Sequence, residues 1–307
     1  MNSMYEIFEK KEDNEEIYRF YCNNDNFKVE DISNDVNKPV YIFFTGHGLF
    51  FPTTIEMFRS KVIENNRFEW ENIARGTGVQ SKASRIIYIR DVYKNWCING
   101  INSKVNTREK LVEMLKDLAE NREIITVGSS AGGYMAVLYG CLLNAKAIYA
   151  FSPQISLLEY DKWHPIKYFD EYRTSGTVAL DLREYMVAYT GKLFYITPYY
   201  CPEDRAQLDL VNMADIPCIR KFIVDENRHG YTFYGVSIER LLAMDMKTLE
   251  NLSYHYAGKI IKPSHFCART SGIIKAAEIM IYRKMKGVLK GKNDGDEKNR
   301  NFNCTSR

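Results

Sequence analysis

Residues Glu123–Gly140 read E-I-I-T-V-G-S-S-A-G-G-Y-M-A-V-L-Y-G: an apolar run, a small-residue turn, then a longer apolar run. The first run is short and β-branched, which suits a strand. The second, Ala131–Leu143, has the length of a helix. Between them lies Gly128-Ser129-Ser130-Ala131-Gly132, with the spacing G-x-S-x-G. A sharp strand-to-helix turn projects the central serine, Ser130, and small residues two positions to either side let neighbouring backbone come close. A serine hydroxyl is a poor nucleophile unless a base reaches it and donors hold the oxyanion. The same turn places the amide of Ala131 at a helix N-terminus, aimed where negative charge develops. A Walker loop would need G-K-[ST], and a dinucleotide loop would need G-x-G-x-x-G after the first strand of its unit. This turn has neither pattern.

On both sides of the turn, short β-rich runs recur with helical stretches between them. Strands are expected at Ile17–Cys22, Phe27–Ile32, Pro39–Thr45, Arg85–Arg90, Glu123–Val127, Ala145–Phe151, Leu193–Pro198 and Cys218–Val224. Several are apolar almost throughout, as strands covered on both faces of a parallel sheet should be. Helices are expected at Thr107–Glu120, Ala131–Leu143, Arg205–Met213 and Gly272–Lys290. This alternation predicts a mostly parallel, doubly wound α/β sheet with ligands beyond the carboxyl ends of its strands. Residues 155–192 break the pattern. They are rich in rings (Tyr160, Trp163, His164, Tyr168, Phe169, Tyr172, Tyr185, Tyr189) and read as a cap inserted in a single domain spanning 1–290. Residues 291–307 are polar and read as a disordered tail.

In an α/β-hydrolase fold the reactive residues follow in the order Ser, acid, His. The acid should come after a late strand, and Asp204 lies in the segment following Leu193–Pro198. It would hold the imidazole in one tautomer, although Asp is also a common helix cap. Glu203 is its nearest rival, and Asp209 and Asp225 are weaker ones. Among five histidines (His47, His164, His229, His255, His265), His229 follows a strand and stands in a loop, the position the base requires. His255 falls in an apparent helix and His265 in a later loop. Thr45-Gly46-His47-Gly48 ends the strand where a second oxyanion donor arises, which nominates the backbone amides of His47 and Gly48. His47 could instead touch substrate.

Composition narrows the function classes. The chain has 307 residues, 45% hydrophobic and 26% charged, which excludes a disordered or collagen-like chain. Lys+Arg 42 against Asp+Glu 39 gives a net charge of +3, so no nucleic-acid partner is expected. The first residues lack a basic n-region with an apolar core, and no run approaches the ~18 apolar residues of a membrane span. Seven cysteines, odd in number and scattered, give no C-x-x-C or Cys/His spacing. Free thiols in a cytoplasmic setting are expected, with no metal. The aromatic share is 13%, with Tyr 22. Arg283, Lys284, Lys286 and Lys290 make the last helix basic, compatible with peripheral contact to an anionic membrane or with a solvated face.

Three segments carry a resemblance: Ile89–Gly100 (I-R-D-V-Y-K-N-W-C-I-N-G), the G-S-S-A-G-G-Y-M-A-V-L-Y-G run, and Ala150-Phe151-Ser152-Pro153-Gln154. Over roughly residues 39–265 the chain resembles bacterial α/β-hydrolase-fold proteins of capsular and surface-polysaccharide biosynthesis. These include capsule O-acetyltransferases of the meningococcal type and related accessory-secretion proteins that modify glycans. The elbow is generic to the fold, whereas R-D-x-x-x-x-W and F-S-P-Q are more specific. The resemblance implies Ser130, Asp204 and His229 as a triad. It implies acetyl transfer from a donor such as acetyl-CoA, with no bound cofactor, to a polysaccharide or oligosaccharide hydroxyl. Cys97 departs from it, standing where an aromatic is expected after the tryptophan. Trp96, Arg90 and Tyr134 are candidate substrate contacts. Trp96 could equally fill the core, and Arg90 could instead pair with Asp91 in a buried bridge. A carboxylesterase acting on an acylated glycan is the alternative activity, and a non-catalytic assembly factor the alternative class.

Overall fold

The computed structural model describes residues 11–230 and 232–284. Its centre is an eight-stranded sheet: β1 (Phe27–Asp31), β2 (Val40–Phe44), β3 (Arg85–Ile89), β4 (Ile124–Ser129), β5 (Ala147–Phe151), β6 (Lys192–Pro198), β7 (Ile219–Val224) and β8 (Ile260–Ile261). The spatial order is β1-β3-β2-β4-β5-β6-β7-β8. Only β1 runs antiparallel, against β3. All other pairings are parallel.

Unbroken apolar strands are explained by two cores, one on each face. Alternate residues of a strand point to opposite faces. Val40, Ile42 and Phe44 of β2 therefore join one core, and Tyr41 and Phe43 the other. The first core packs against helices α5 (Arg108–Ala119) and α6 (Ala131–Leu142). Short helices α2 (Ile55–Phe58), α3 (Glu71–Ala74) and α4 (Thr77–Lys82) precede β3; α3 and α4 cover the second core, whereas Phe58 of α2 packs in a smaller third cluster with Ile17 and Tyr21. Much of the aromatic share lies in the second core, as rings of Tyr41, Phe43, Tyr88, Tyr149, Phe194 and Phe222.

The expected strand at Ile17–Cys22 is instead helix α1 (Glu15–Asn23). Asn14 caps it, its side chain accepting from the amides of Glu16 and Ile17, and Ile17 and Tyr21 are buried one turn apart. An apolar run of this length has no period of its own, and the cap decides.

Residues 155–192 lie between β5 and β6 and fold into α7 (Leu157–Trp163), α8 (Phe169–Ser175) and α9 (Arg183–Ala188). The segment is tied down from below: Tyr134 Oη donates to Ala179 O at 2.6 Å, and the Gln207 side chain exchanges two hydrogen bonds with the Ser156 backbone. The chain then continues through α10 (Pro202–Met213), α11 (Gly235–Ala243), α12 (Met246–His255) and α13 (Pro263–Ser271). His265 therefore sits in a helix rather than a loop. Residues 273–284 are helical, and the expected tail at 291–307 lies outside the described residues, as do Lys286 and Lys290. Among the described residues, no helix is long and apolar enough to cross a membrane.

Candidate active site

Strand β4 ends at Ser129 and α6 begins at Ala131, leaving Ser130 alone in the turn with φ 58° and ψ −122°. A non-glycine residue rarely adopts this left-handed conformation, and such strain is held where the surrounding structure imposes it. The surroundings explain the flanking glycines. A Cβ on Gly128 would stand 2.0 Å from Gly132 O, and one on Gly132 would stand 2.5 Å from Phe44 O. The turn closes only with hydrogen at both positions.

Three residues far apart in sequence meet here. Ser130 Oγ lies 2.8 Å from His229 Nε2, and His229 Nδ1 lies 3.1 Å from Asp204 Oδ1. Asp204 is 2% exposed and belongs to the first turn of α10, where Cys201, not Asp204, is the N-cap. Its other oxygen, Oδ2, is buried with no protein hydrogen-bond partner. An ionised carboxylate only accepts, so Nδ1 carries the hydrogen toward Asp204 and Nε2 is left to accept from Ser130. Burial by itself would lower the affinity of His229 for a proton. The hydrogen bond and charge of Asp204, with the charge of Glu203, outweigh it, and the pKa is raised from 6.5. Glu203 instead bonds His164, Oε2 to Nε2 at 2.9 Å, and Asp209 pairs with Arg205, so neither rival reaches His229. Cys201, Asp204 and His229 could by position bring three metal-ligating atoms within 4.8 Å of one another. Both nitrogens of His229 are already engaged in the hydrogen bonds above, which fits an acid–base pair better than a metal centre.

Ala131 is the first residue of α6, so its amide belongs to the helix N-terminal donors that have no partner within the helix. Opposite it, the β2 strand runs into a 3-10 turn, His47–Leu49. The Gly46 amide is committed to Glu69, donating to Oε2 at 2.6 Å, which leaves His47 and Gly48 at the start of that turn. The His47 ring packs 4.9 Å from Trp96, and its Nε2 is buried and without a partner. Burial first, then the charges of Lys94 and His229, push its pKa down to about 3, so the imidazole stays neutral.

A cavity of about 650 Å³ opens over Ser130. Its walls include Glu69, Lys94, Trp96, Tyr160, His164 and Glu203. Of the eight rings noted in residues 155–192, Tyr160 and His164 line it, whereas Tyr172 and Tyr189 are buried in the core beneath. Lys94 is held by Phe50 O at 2.6 Å and Thr53 Oγ1 at 2.7 Å, and burial lowers its pKa to about 7.

Two candidate substrate contacts are corrected. Arg90 is 3% exposed and is not among the residues lining the cavity. Its guanidinium bonds Asn26 and Asn66 and stacks on Phe68 at 4.4 Å, and its pKa falls to about 10 by burial. The expected bridge to Asp91 is not formed either. Asp91 accepts the Cys97 amide at 3.1 Å and those of Asn95, Trp96 and Tyr93. It thereby organises a loop in which Lys94, Trp96 and Cys97 all have φ between 52° and 60°. Tyr134 is 1% exposed and spends its hydroxyl on Ala179, so it anchors the inserted segment. Trp96 does line the cavity, but only 3% of it is exposed. Its indole is wedged in place and donates to Gln154 Oε1 at 2.5 Å.

Sequence reasoning passed over Gln154, Glu69 and Lys94. Gln154 stood within the F-S-P-Q segment, but nothing in one sequence says which way an amide side chain turns. Glu69 and Lys94 lie in the segments before and after β3, two strands from β4, and only the folded loops bring them to the cavity over Ser130.

No protein-family model matches the chain, and no curated sequence does. Its structure is similar to Est1E from Butyrivibrio proteoclasticus, with 13% identity over 76% of this chain and 98% of that one, TM-score 0.49. It is also similar to the capsule O-acetyltransferase of Neisseria meningitidis serogroup A, with 11% identity, 75% and 92% coverage and TM-score 0.45. A third similar structure is the 2,6-dihydroxy-pseudo-oxynicotine hydrolase, with 14% identity, 77% of this chain and TM-score 0.45; the chain spans 66% of its length. By its own strand order and its strand–Ser130–helix turn, the chain has the α/β-hydrolase fold.

Proposed function

We propose that the protein is a serine-dependent acyltransferase that moves an acetyl group from a donor such as acetyl-CoA to a sugar hydroxyl of a capsular or surface polysaccharide. The observation that carries the acyl chemistry is the Ser130–His229–Asp204 chain of hydrogen bonds, 2.8 and 3.1 Å long, at the floor of a cavity. Ser130 Oγ attacks the acyl carbonyl while its proton passes to His229 Nε2. The Ala131 amide, with the amides of His47 and Gly48, holds the oxyanion. Collapse expels the donor's thiol or alcohol, which takes the proton from His229, and leaves acetyl on Ser130. An acceptor hydroxyl then gives its proton to His229 and attacks the ester, and Ser130 Oγ leaves and recovers a proton. The sugar acceptor is supported by a wall that mixes ring faces with hydrogen-bonding groups, Tyr160 and His164 beside Glu69 and Glu203. A cytoplasmic setting is supported by the scattered cysteines. A net charge of +3 leaves no footprint of the size a nucleic acid would need.

A second reading has its own observation. The His229 side chain is 34% exposed, so water reaches the base, and an esterase that removes acyl groups from glycans uses the same residues. Mass spectrometry of the protein with acetyl-CoA, with and without a capsule oligosaccharide, separates the two. An acetylated oligosaccharide is the expected product. Release of acetate from an acetylated glycan, with no transfer, establishes the esterase instead.

The pH dependence follows from His229. The base works only when neutral, and its pKa is raised from 6.5. Acylation by an acetyl ester is therefore expected to rise with pH through a midpoint above 6.5 and then level off. Asp204→Asn removes the hydrogen-bonded charge and leaves burial opposed only by the smaller effect of Glu203, so the midpoint moves down while the plateau falls by about 10⁴-fold. Measuring kcat/KM against pH for both proteins checks the direction; an upward shift in the variant contradicts it.

A further inference from the structure

We propose that Gln154 is a catalytic amide donor to Ser130 Oγ, held in that orientation by Trp96. The proposal rests on Ser130 being the nucleophile. Gln154 lies three residues past the end of β5, the strand next to β4 and its elbow. It is 4% exposed, and its Nε2 lies 3.4 Å from Ser130 Oγ. A buried primary amide must satisfy both ends, because an unmet donor or acceptor away from water is costly.

Trp96 settles which end faces the serine. An indole N–H can only donate, so it takes the amide oxygen and turns the NH2 group toward Ser130. The indole cannot swing away. It is packed against the His47 ring at 4.9 Å and the edge of Tyr160 at 5.4 Å, and it hangs from the loop that Asp91 gathers. The donor is thus set before any charge appears, which is what makes such a group effective.

Its use follows from the electron count at Oγ. The Ser130 hydrogen points to His229 Nε2 at 2.8 Å, which leaves the oxygen lone pairs for Gln154. As the acyl bond forms, the proton goes to His229 and negative charge passes through Oγ. When the acceptor displaces the acyl group, the C–Oγ bond breaks, its electron pair returns to Oγ, and His229 supplies the proton. In both directions Oγ is briefly more negative than at rest. A 3.4 Å contact is long for an N–H···O bond and shortens as that charge grows. The Ala131, His47 and Gly48 amides serve the carbonyl oxygen, so Gln154 supplies a donor to the other oxygen of the tetrahedral centre.

The test is a double-substitution cycle read by the rate of fluorophosphonate labelling. Gln154→Leu keeps most of the volume without a donor and is expected to slow labelling by about 10–100-fold. Gln154→Glu keeps the shape and also removes the donor when ionised, so it should slow labelling at least as much. Trp96→Phe keeps a ring but loses the N–H, and should give a smaller loss. Because Trp96 acts through Gln154, the Trp96→Phe/Gln154→Leu protein should label no more slowly than Gln154→Leu alone. Thermal unfolding of each variant shows that the fold persists, and if Gln154→Leu does not fold, Gln154→Glu carries the measurement. Labelling of the Gln154 variants at the unsubstituted rate overturns the proposal, as do losses that multiply in the double variant. A parent protein that does not label at Ser130 removes the nucleophile assignment itself, and Gln154 with it.

Discussion

Ser130→Ala is expected to lower acyl transfer by about 10⁴–10⁶-fold and to abolish covalent labelling by a fluorophosphonate, with the fold intact. The effect is large because it is the Ser130 hydroxyl that meets His229 Nε2, at 2.8 Å. Ser129, its neighbour, is the last residue of β4, and strand and elbow conformations aim the two side chains differently. Structural damage should be slight. Alanine has the same Cβ as serine, so it meets the strained φ of 58° on equal terms, and the hydroxyl makes no buried structural bond apart from those of the reacting group. Equal thermal unfolding of the two proteins, together with lost labelling, is the pattern to look for. Labelling retained at the parent rate would place the nucleophile elsewhere, and a parent protein that binds glycan without reacting would point to an assembly factor.

His229→Ala is expected to reduce acyl transfer by a similar factor, about 10⁴–10⁶-fold, because a nucleophile and its base act as one unit. His255→Ala is the control. His255 lies at the exposed C-terminal end of α12, its ring against Tyr256, and nothing there reaches Ser130. Its replacement should leave the rate within about twofold, as surface substitutions away from special features do. Kinetics on one acetyl ester with the three proteins decides the matter. Loss in the His255 variant with activity kept in the His229 variant would move the base.

Much of this site was legible before any coordinates, and the reason is that its demands are local. The Gly128 constraint is local, since a side chain there collides with Gly132 of the same turn, whereas the Gly132 constraint comes from Phe44 on the neighbouring strand β2. The order Ser130, Asp204, His229 follows from the order of strands, because each stands just past a strand end and the sheet is parallel there. The two-core sheet was equally visible, in strands such as Val40–Phe44 with no polar face.

What failed to show depends on side-chain direction and on neighbours distant in the chain. Arg90, Trp96 and Tyr134 occupy the right region, and sequence position alone ranked them together. The fold separates them by the partners each finds: Asn26 and Asn66 for Arg90, Ala179 for Tyr134, Gln154 for Trp96. The run at Ile17–Cys22 was ambiguous for a different reason. Six mixed apolar residues fit a strand or a helix, and the cap at Asn14 with the packing of Ile17 and Tyr21 chose the helix.

The amino-acid sequence by itself therefore determined seven of the eight strands, the elbow and the chain order of Ser130, Asp204 and His229, because steric and periodic rules act largely over neighbouring residues. Tertiary structure alone decided which polar groups face Ser130. Gln154 turns inward because Trp96, 58 residues earlier in the chain, offers only a hydrogen to its oxygen. Glu69 reaches the site because Gly46, 23 residues away, presents an amide to it. Such directions are set by where a buried polar group finds its partner, and that partner is chosen by the fold.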